Sequence, residues 1–270
     1  MNSKIVYIED ESRDSSKYKR ILESEESDGK GFNVEIVNAQ DIEIPKFFDE
    51  LKGDKPDLLL IDLDLSTARD RFVFGLSGAS TSNILREKFS DIPIIIFTRK
   101  DIIKNKFPAI EQIIISVDEI VFKDEIRKDI KNYIKLFVNI VEGYRLIREK
   151  NPKKFDDILA LLKVPQHAID LVKLADPPLM QDNGTSCYLI AKWIRKNILN
   201  FPGILYDPIN AATLLGISEK AFLSDEVQHT FAGAKYEGIF GPSEGRWWKP
   251  ELNILAMKEL NDNEKEFALR

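Results

Sequence analysis

The sequence is poor in cysteine and histidine and has no long apolar run. It contains one cysteine, Cys187, and two histidines, His167 and His229. One cysteine cannot form an internal disulfide, and these three residues cannot supply the four ligands of a structural zinc site. The longest uncharged apolar stretch, residues 92–97, is far shorter than the roughly 20 residues that span a bilayer. These absences predict a protein of the reducing cytoplasm that does not cross a membrane.

The distribution of charged residues argues against two further classes of protein: exported proteins and proteins with an extensive nucleic-acid surface. The first twenty residues are rich in charge and lack the apolar core and cleavage site of a signal peptide, so we expect no export. The formal net charge is -6, and residues 1–150 contain 25 Lys and Arg against 29 Asp and Glu, with 14 against 16 in the remainder. Neither part has the basic excess that an extensive nucleic-acid surface needs. The 270 residues, 43% apolar and 31% charged, predict two globular domains.

Short apolar segments alternate with amphipathic segments in the first half of the chain. Strands are predicted at residues 4–8, 34–37, 58–63 and 94–98, with a fifth at 113–115 or 119–121. Helices are predicted up to about residue 24 and around 44–51 and 80–89. Strands such as LLLI and PIIIF are apolar throughout, as expected when helices cover both faces of a parallel sheet. We therefore predict an α/β fold with a doubly wound, five-stranded parallel sheet.

A long helix is predicted over residues 123–150. Its apolar residues recur at alternating spacings of four and three: Ile126, Ile130, Tyr133, Phe137, Ile140, Tyr144 and Ile147. This pattern indicates either a seam between two chains, and so a homodimer, or packing within one chain against residues 155–200. The proline in residues 151–154 ends the helix. We place the domain boundary there, between a domain of residues 1–148 and a second domain of residues 155–270.

The second domain is predicted to be mostly helical with a small β-hairpin. Helices are predicted at residues 155–163, 166–175 and 186–199, and from Asp207-Pro208 to Gly216. The hairpin is predicted from residues 234–240 and 246–249, around a turn at 241–245. With a further helix from Ser218, residues 208–250 resemble a winged helix-turn-helix of a DNA-binding transcriptional regulator. The alternative is a helix pair in a domain that binds a protein or a small ligand.

Polar residues stand at the ends of the predicted strands. Glu9 and Asp10 follow the first strand, Asp62 follows the third, and Thr98 ends the fourth. The carboxyl ends of parallel strands meet at one edge of a sheet, where ligands bind. Carboxylates that converge there repel one another unless a cation is present, and Mg²⁺ prefers such oxygen ligands. Thr98 and Lys123, which follows another apolar strand, would complete a pocket for a phosphoryl group held on Asp62.

These segments resemble the receiver domains of two-component response regulators over residues 4 to about 125. Four ordered motifs carry the resemblance: KIVYIEDE, KPDLLLIDLDLS, SDIPIIIFTRK and VFKDE. It implies a flavodoxin-like receiver whose Asp62 takes a phosphoryl group from a histidine kinase, with Thr98 and Lys123 on the phosphoryl oxygens. It also implies a Mg²⁺ ion held by Glu9, Asp10, Asp62 and the backbone carbonyl of Asp64. Such a protein is a cytoplasmic phosphoprotein and not an enzyme, apart from slow autodephosphorylation.

The sequence departs from this family at four positions. Glu9 stands where Asp is commoner, and Ile120 stands where the family often has an aromatic residue. Asp124 replaces the usual proline after Lys123. Arg99 replaces a small residue after Thr98, where it would restrict access to the phosphoryl group or pair with Asp64. A receiver that acts without phosphorylation is therefore one alternative.

An enzyme is the other main alternative. The segment IDLDLS also resembles the nucleophile motif of haloacid dehalogenase-like phosphatases, with Asp62 as nucleophile and Asp64 as general acid. In that family the acidic pair follows the lysine, whereas here Glu9 and Asp10 precede the nucleophile. Carboxylates that merely cap strands and helices are a third possibility.

Overall fold

The computed structural model describes residues 2–27, 29–65, 77–106, 115–180, 185–201, 203–241 and 245–268. The chain divides into two compact units: Met1–Arg145 with Ser186–Tyr188, and Leu146–Thr185 with Leu189–Arg270. The polypeptide therefore passes between the units three times. None of the described helices combines the length and the apolar character that crossing a bilayer requires.

The first unit contains the predicted parallel sheet. Its strands are β1 (Ser3–Glu9), β2 (Phe32–Asn38), β3 (Leu58–Ile61), β4 (Ile94–Thr98) and β5 (Glu119–Phe122). The strands lie in the order β2-β1-β3-β4-β5, and every neighbouring pair is parallel. The predicted fold class is confirmed. Of the two segments proposed for the last strand, residues 119–121 belong to β5, whereas residues 113–114 lie outside the described residues.

Helices connect these strands. They are α1 (Ser12–Glu23), α2 (Ile44–Gly53), α3 (Gly78–Lys88) and α4 (Lys100–Lys106). Every residue of β3 and β4 is buried, which explains why both strands are apolar over their whole length. Because this strand order reverses direction beside β1, the carboxyl ends of β1 and β3 flank the crevice in which such folds bind ligands.

The prediction of a single helix over residues 123–150 is wrong in one respect. The segment forms two helices, α5 (Lys123–Ile126) and α6 (Ile130–Lys150). The break falls at Asp129, whose backbone carbonyl accepts the Tyr133 N–H at 3.3 Å and whose carboxylate accepts the Asn132 amide at 2.6 Å. Asp is favoured just before a helix because its side chain competes for local hydrogen bonds, so α6 starts anew there.

The apolar seam of α6 is buried within a single chain. Phe137, Ile140, Tyr144 and Ile147 are each at most 2% exposed. The Phe137 ring packs edge-on against Phe32 of β2, with centroids 6.3 Å apart. These side chains are buried within one chain and are not available to a second copy, but Phe137 packs on β2, whereas the intrachain alternative predicted packing on residues 155–200. Homodimerisation stays a prediction, and a dimer would have to form through a surface other than this seam.

A buried polar network joins α3, the residue that precedes β5, α6 and the returning segment of the first unit. The Arg86 guanidinium lies 2.7 Å from an Asp118 carboxylate oxygen, and the other oxygen accepts the Tyr144 hydroxyl at 2.6 Å. The Tyr188 ring lies 4.0 Å from the Arg86 guanidinium, and the Tyr188 N–H donates to the Ser90 carbonyl at 2.9 Å. A desolvated cation over an aromatic face is attractive, so this network fixes the segment Ser186–Tyr188 on the first unit.

The second unit is mostly helical, as predicted. It contains α7 (Phe155–Leu162), α8 (Ile169–Lys173), α9 (Cys187–Trp193, which begins in the first unit), α10 (Pro208–Leu215), α11 (Glu219–Phe222), α12 (Asp225–Thr230) and α13 (Lys249–Ala268). The helix α9 continues as a π-helical segment, Ile194–Leu199. Two short strands, β6 (Leu205–Tyr206) and β7 (Trp247–Trp248), pair antiparallel.

A small antiparallel pair is therefore present, and only part of it joins the predicted segments, through Lys235 and Tyr236. Within the described residues, Lys235 makes a single bridge to Trp247, while β6 supplies the partner strand of β7. The reason is packing. Residues 232–234 form a 3-10 turn, and the Trp247 ring packs against Phe222 with centroids 4.8 Å apart. Part of the predicted turn, residues 242–244, lies outside the described residues.

Replacing Phe137 by Ala tests whether the seam stabilises one chain or joins two. We expect the free energy of unfolding to fall by about 3–5 kcal/mol, because a fully buried aromatic side chain leaves a cavity. The molar mass in light scattering should not change. The control, Lys131→Ala on the exposed face of α6, should alter stability by less than about 0.5 kcal/mol. A dimer that Phe137→Ala converts into a stable monomer would restore the seam between chains.

Candidate phosphoacceptor site

Three acidic side chains meet where β1 and β3 end. Glu9 is the last residue of β1, Asp10 follows it, and Asp62 follows β3. All three are buried, and each offers a carboxylate oxygen within 4.8 Å of the others. Buried carboxylates this close repel one another unless a cation or a proton lies between them. The structure thus brings together the acids that the sequence placed at this edge.

Lys123 and Thr98 complete the same site. The Lys123 ammonium lies 2.6 Å from a Glu9 carboxylate oxygen and 3.1 Å from an Asp62 oxygen. Thr98 is fully buried, and within the described part of the chain its hydroxyl has no hydrogen-bond partner. An unsatisfied buried hydroxyl is unfavourable, so a polar group that entered beside it would be stabilised. Asp62, Thr98 and Lys123 line one small cavity.

Burial and neighbouring charges set the protonation of this site. Burial, opposed by Lys123 and reinforced by Glu9, raises the pKa of Asp62 to about 7. Burial also acts to raise the pKa of Glu9, but Lys123 and Tyr7 hold it below its ordinary value. Burial acts to lower the pKa of Lys123, and the two carboxylates outweigh that effect and raise it. The site therefore favours a charged lysine and one firmly ionised acid beside an acid that readily takes a proton.

Asp64 and Arg99 also line this cavity. The Arg99 guanidinium lies 3.7 Å from an Asp101 oxygen, and both side chains are largely exposed. Arg99 therefore stands at the mouth of the cavity without filling it. Ile120 is partly buried and packs against the core, and Asp124 is exposed.

Three aromatic residues that the sequence did not connect with the site surround Lys123. Its ammonium lies 5.7–5.8 Å from the ring centroids of Tyr7, Tyr18 and Phe97. The Tyr7 hydroxyl donates to Glu9, and the Tyr18 hydroxyl donates to the Lys123 backbone carbonyl at 3.3 Å. Alternation along β1 and β4 could have placed Tyr7 and Phe97 on one face of the sheet, but nothing in the sequence tied that face to Lys123.

Gly78 is another residue whose role the sequence did not reveal. A Cβ atom at this position would lie 2.0 Å from the backbone carbonyl oxygen of Asp62. The Gly78 N–H donates to the Leu63 carbonyl at 2.9 Å. The start of α3 therefore packs directly on the backbone that carries Asp62, an approach that only glycine permits.

The region predicted as a helix-turn-helix has a different form. Its first helix, α10, begins and ends as predicted, with Asp207 accepting the Asn210 N–H at 2.7 Å and Gly216 in the left-handed conformation. The predicted second helix is two short helices, α11 and α12. Their exposed side chains include Glu219, Asp225 and Glu226. Acids on short helices are unfavourable beside phosphates.

Comparisons with known proteins found similar solved structures only. No protein-family model matches the sequence, and no curated protein matches it. The response regulator TrrA from Thermotoga maritima, solved in complex with Mg²⁺-BeF, is 19% identical over 48% of this chain and 96% of its own, with a TM-score of 0.33. Response regulator receiver domains are what the N-terminal half of the chain is similar to.

Two further structures illustrate the range of these matches. A receiver domain protein from Clostridium thermocellum is 22% identical over 51% of this chain and 94% of its own, with a TM-score of 0.36. Full-length FixJ from B. japonicum is 16% identical over 74% of this chain and 91% of its own, with a TM-score of 0.41.

The raised pKa of Asp62 predicts how stability changes with pH in a buffer without divalent cations. Between its ordinary pKa and about 7, the folded chain keeps a proton that the unfolded chain releases. Stability conferred by that proton is present at low pH and is lost as the pH rises through about 7. Asp62→Asn removes this titration. In urea unfolding, the free energy of unfolding of the variant minus that of the wild-type chain should therefore increase by on the order of 1–3 kcal/mol from pH 5 to pH 8.

A matched control is Asp54→Asn, because Asp54 is 80% exposed and pairs with Lys4 at the start of β1, whereas the acidic cluster lies where β1 ends. The free energy of unfolding of this control should differ from that of the wild-type chain by the same amount at every pH between 5 and 8. If the difference for Asp62→Asn is also independent of pH, the raised pKa of Asp62 is contradicted.

Proposed function

We propose that this protein is a phosphorylation-dependent signalling protein in which Asp62 accepts a phosphoryl group and the second unit provides the output. One observation carries the proposal: Asp62, a buried lysine and an unpaired buried hydroxyl line the same cavity at the carboxyl edge of the sheet. A nucleophilic carboxylate with donors arranged around it is what phosphoryl transfer requires. The donor in the cell is proposed to be the phosphohistidine of a histidine kinase.

The chemistry follows from the placement of these groups. One Asp62 oxygen accepts the Leu63 N–H at 2.8 Å, which fixes the carboxylate, and the other faces Lys123. Attack of a carboxylate oxygen on phosphorus forms the acyl phosphate as the bond from phosphorus to the donor breaks, and the donor keeps that electron pair. The Lys123 ammonium and the Thr98 hydroxyl would donate to the phosphoryl oxygens, where charge is spread in the transition state.

The acidic cluster fits a magnesium ion. Asp10 and Asp62 supply the hard oxygen ligands that Mg²⁺ prefers, and the backbone carbonyl of Asp64 is proposed as a further ligand. When bound, the ion would offset the charge of the phosphoryl group and of the carboxylates. By doing so it would also keep Asp62 ionised and nucleophilic, against the effect of burial.

The position of the acids disfavours the phosphatase alternative. The acidic pair comes from β1, next to the strand that carries Asp62, and not from a strand that follows Lys123. We therefore propose that the protein takes up one phosphoryl group per chain and loses it slowly. A phosphatase would hydrolyse a phosphomonoester repeatedly and would need both Asp62 and Asp64.

Labelling by acetyl phosphate tests the proposal. With Mg²⁺ present, the wild-type chain should gain one phosphoryl group, seen as added mass, and chelation of the metal should prevent this. Asp62→Asn should abolish the label because the nucleophilic oxygen is replaced by an amide. The exposed Asp54→Asn should label like the wild-type chain. Labelling that survives Asp62→Asn would contradict the site, and repeated turnover of a phosphomonoester would favour the phosphatase.

Binding of duplex DNA tests the form of the output. Because the second unit exposes acids on α11 and α12, we expect no measurable change in anisotropy when the full chain is added to a labelled generic duplex at low salt. The measurement is repeated after labelling with acetyl phosphate. Binding that weakens steeply with added salt would restore the DNA-binding alternative, whereas its absence leaves a protein or small-ligand output.

A further inference from the structure

Glu9 has its hydrogen-bonding capacity filled by the protein itself. Its Oε1 accepts the backbone N–H groups of Asp10 at 3.1 Å and Glu11 at 3.3 Å. Its Oε2 accepts the Lys123 ammonium at 2.6 Å and the Tyr7 hydroxyl. An ionised carboxylate has about four lone-pair sites. All four are matched by donors on a side chain that is 1% exposed.

A cation could bind Glu9 only by displacing one of these donors. Displacement would leave a buried N–H, hydroxyl or ammonium without its acceptor, which is costly in a dry site. Asp62 differs, because its carboxylate lines the cavity and is more exposed than that of Glu9. Proximity to the other acids therefore does not make Glu9 a ligand.

The same bonds fix Lys123. Its side chain is 3% exposed, and its ammonium lies between Glu9 and Asp62 with three aromatic rings around it. Tyr7 acts twice in this arrangement, since its ring faces the ammonium and its hydroxyl holds the Glu9 oxygen that the ammonium contacts. The Tyr7 ring is itself fixed edge-on against Phe97, with centroids 5.7 Å apart.

We propose that Glu9 is not a cation ligand but the anchor of Lys123, and that Tyr7 is the positioning residue that holds Glu9 in this role. The longer arm of Glu9 reaches the lysine, and Tyr7 fixes that arm from the other side. Lys123 is then in place before a phosphoryl group arrives, and donors fixed in advance need not reorganise during transfer. This inference deepens the proposed function and rests on it, except for the anchoring of Lys123, which is testable alone.

The first experiment measures Mg²⁺ binding to the full-length chain by calorimetry. Asp10→Asn should weaken binding about tenfold or more, because a ligand is lost. Tyr7→Phe should change the dissociation constant by no more than about threefold, because only a hydroxyl is altered. Glu9→Gln should weaken binding less than Asp10→Asn does, because it removes a nearby charge but no ligand. Glu9→Gln that weakens Mg²⁺ binding as much as Asp10→Asn does would overturn the inference.

The second experiment follows labelling by acetyl phosphate as Mg²⁺ is varied. For a positioning role, Tyr7→Phe should lower the maximal rate several-fold and leave the Mg²⁺ concentration at half-maximal rate unchanged, and Glu9→Gln should raise that concentration less than Asp10→Asn does. An increase for Glu9→Gln as large as that for Asp10→Asn would indicate a ligand role and would also overturn the inference.

The third experiment needs neither cation nor phosphoryl group. Reductive methylation of the full-length chain, followed by peptide mass spectrometry, reports how firmly each lysine is held. Lys123 should react several-fold faster in Tyr7→Phe and in Glu9→Gln than in the wild-type chain, while Lys52, whose side chain is 66% exposed, should not change. Unchanged reactivity of Lys123 in both variants would contradict the anchor.

These experiments separate the inference from the proposed function. A wild-type chain that binds no Mg²⁺ would count against the proposed function, and the reactivity of Lys123 would then decide the inference alone. Tyr7→Phe retains the ring that packs on Phe97, so it should melt close to the wild-type temperature. It therefore keeps the inference falsifiable if Glu9→Gln fails to fold.

Discussion

Neutralisation of buried charge at the carboxyl edge of the sheet is the constraint on which the first unit depends. Glu9, Asp62 and Lys123 are each largely removed from water, and removing an ion from water costs several kcal/mol even after relaxation. The lysine offsets that cost by contacting both carboxylates, and the Tyr7 hydroxyl and two backbone N–H groups complete Glu9. The ends of β1, β3 and β5 must therefore meet in one register, which ties the chemistry of the site to the order of the strands.

The sequence was sufficient for the parts of the structure that follow from periodicity and strand ends. Apolar runs located four of the five strands without ambiguity, and the residues after them located the acids, Thr98 and Lys123. It was insufficient where a role depends on contacts between distant segments. In the sequence Tyr7 is one of several residues in the apolar strand β1. Its role becomes visible only in the structure, where Lys123, 116 positions later in the chain, lies beside it. Gly78 likewise acquires its role only when α3 packs on the backbone of Asp62.

The same limit explains the corrections. An alternating spacing of apolar residues shows that a helix buries one face, and it does not show against what. In α6 that face meets β2 through Phe137 and Phe32, so a pattern typical of a coiled coil serves a single chain. The two tryptophans were correctly expected in a strand, but the partner segment depends on where their rings can be buried. Trp247 packs on Phe222, and β6 supplies the paired strand, while residues 234–240 contribute a single bridge at Lys235.

The route from the first unit to the second is set by the path of the chain. The backbone passes between the units in α6, before Ser186 and after Tyr188. Two of these passages are tied to one buried network, since Tyr144 of α6 and Tyr188 of the returning segment both belong to the group around Arg86 and Asp118. Asp118 also accepts the Ile94 N–H at the start of β4, the strand that ends at Thr98. The network therefore ties the start of β4 to two of the segments through which the chain enters the second unit.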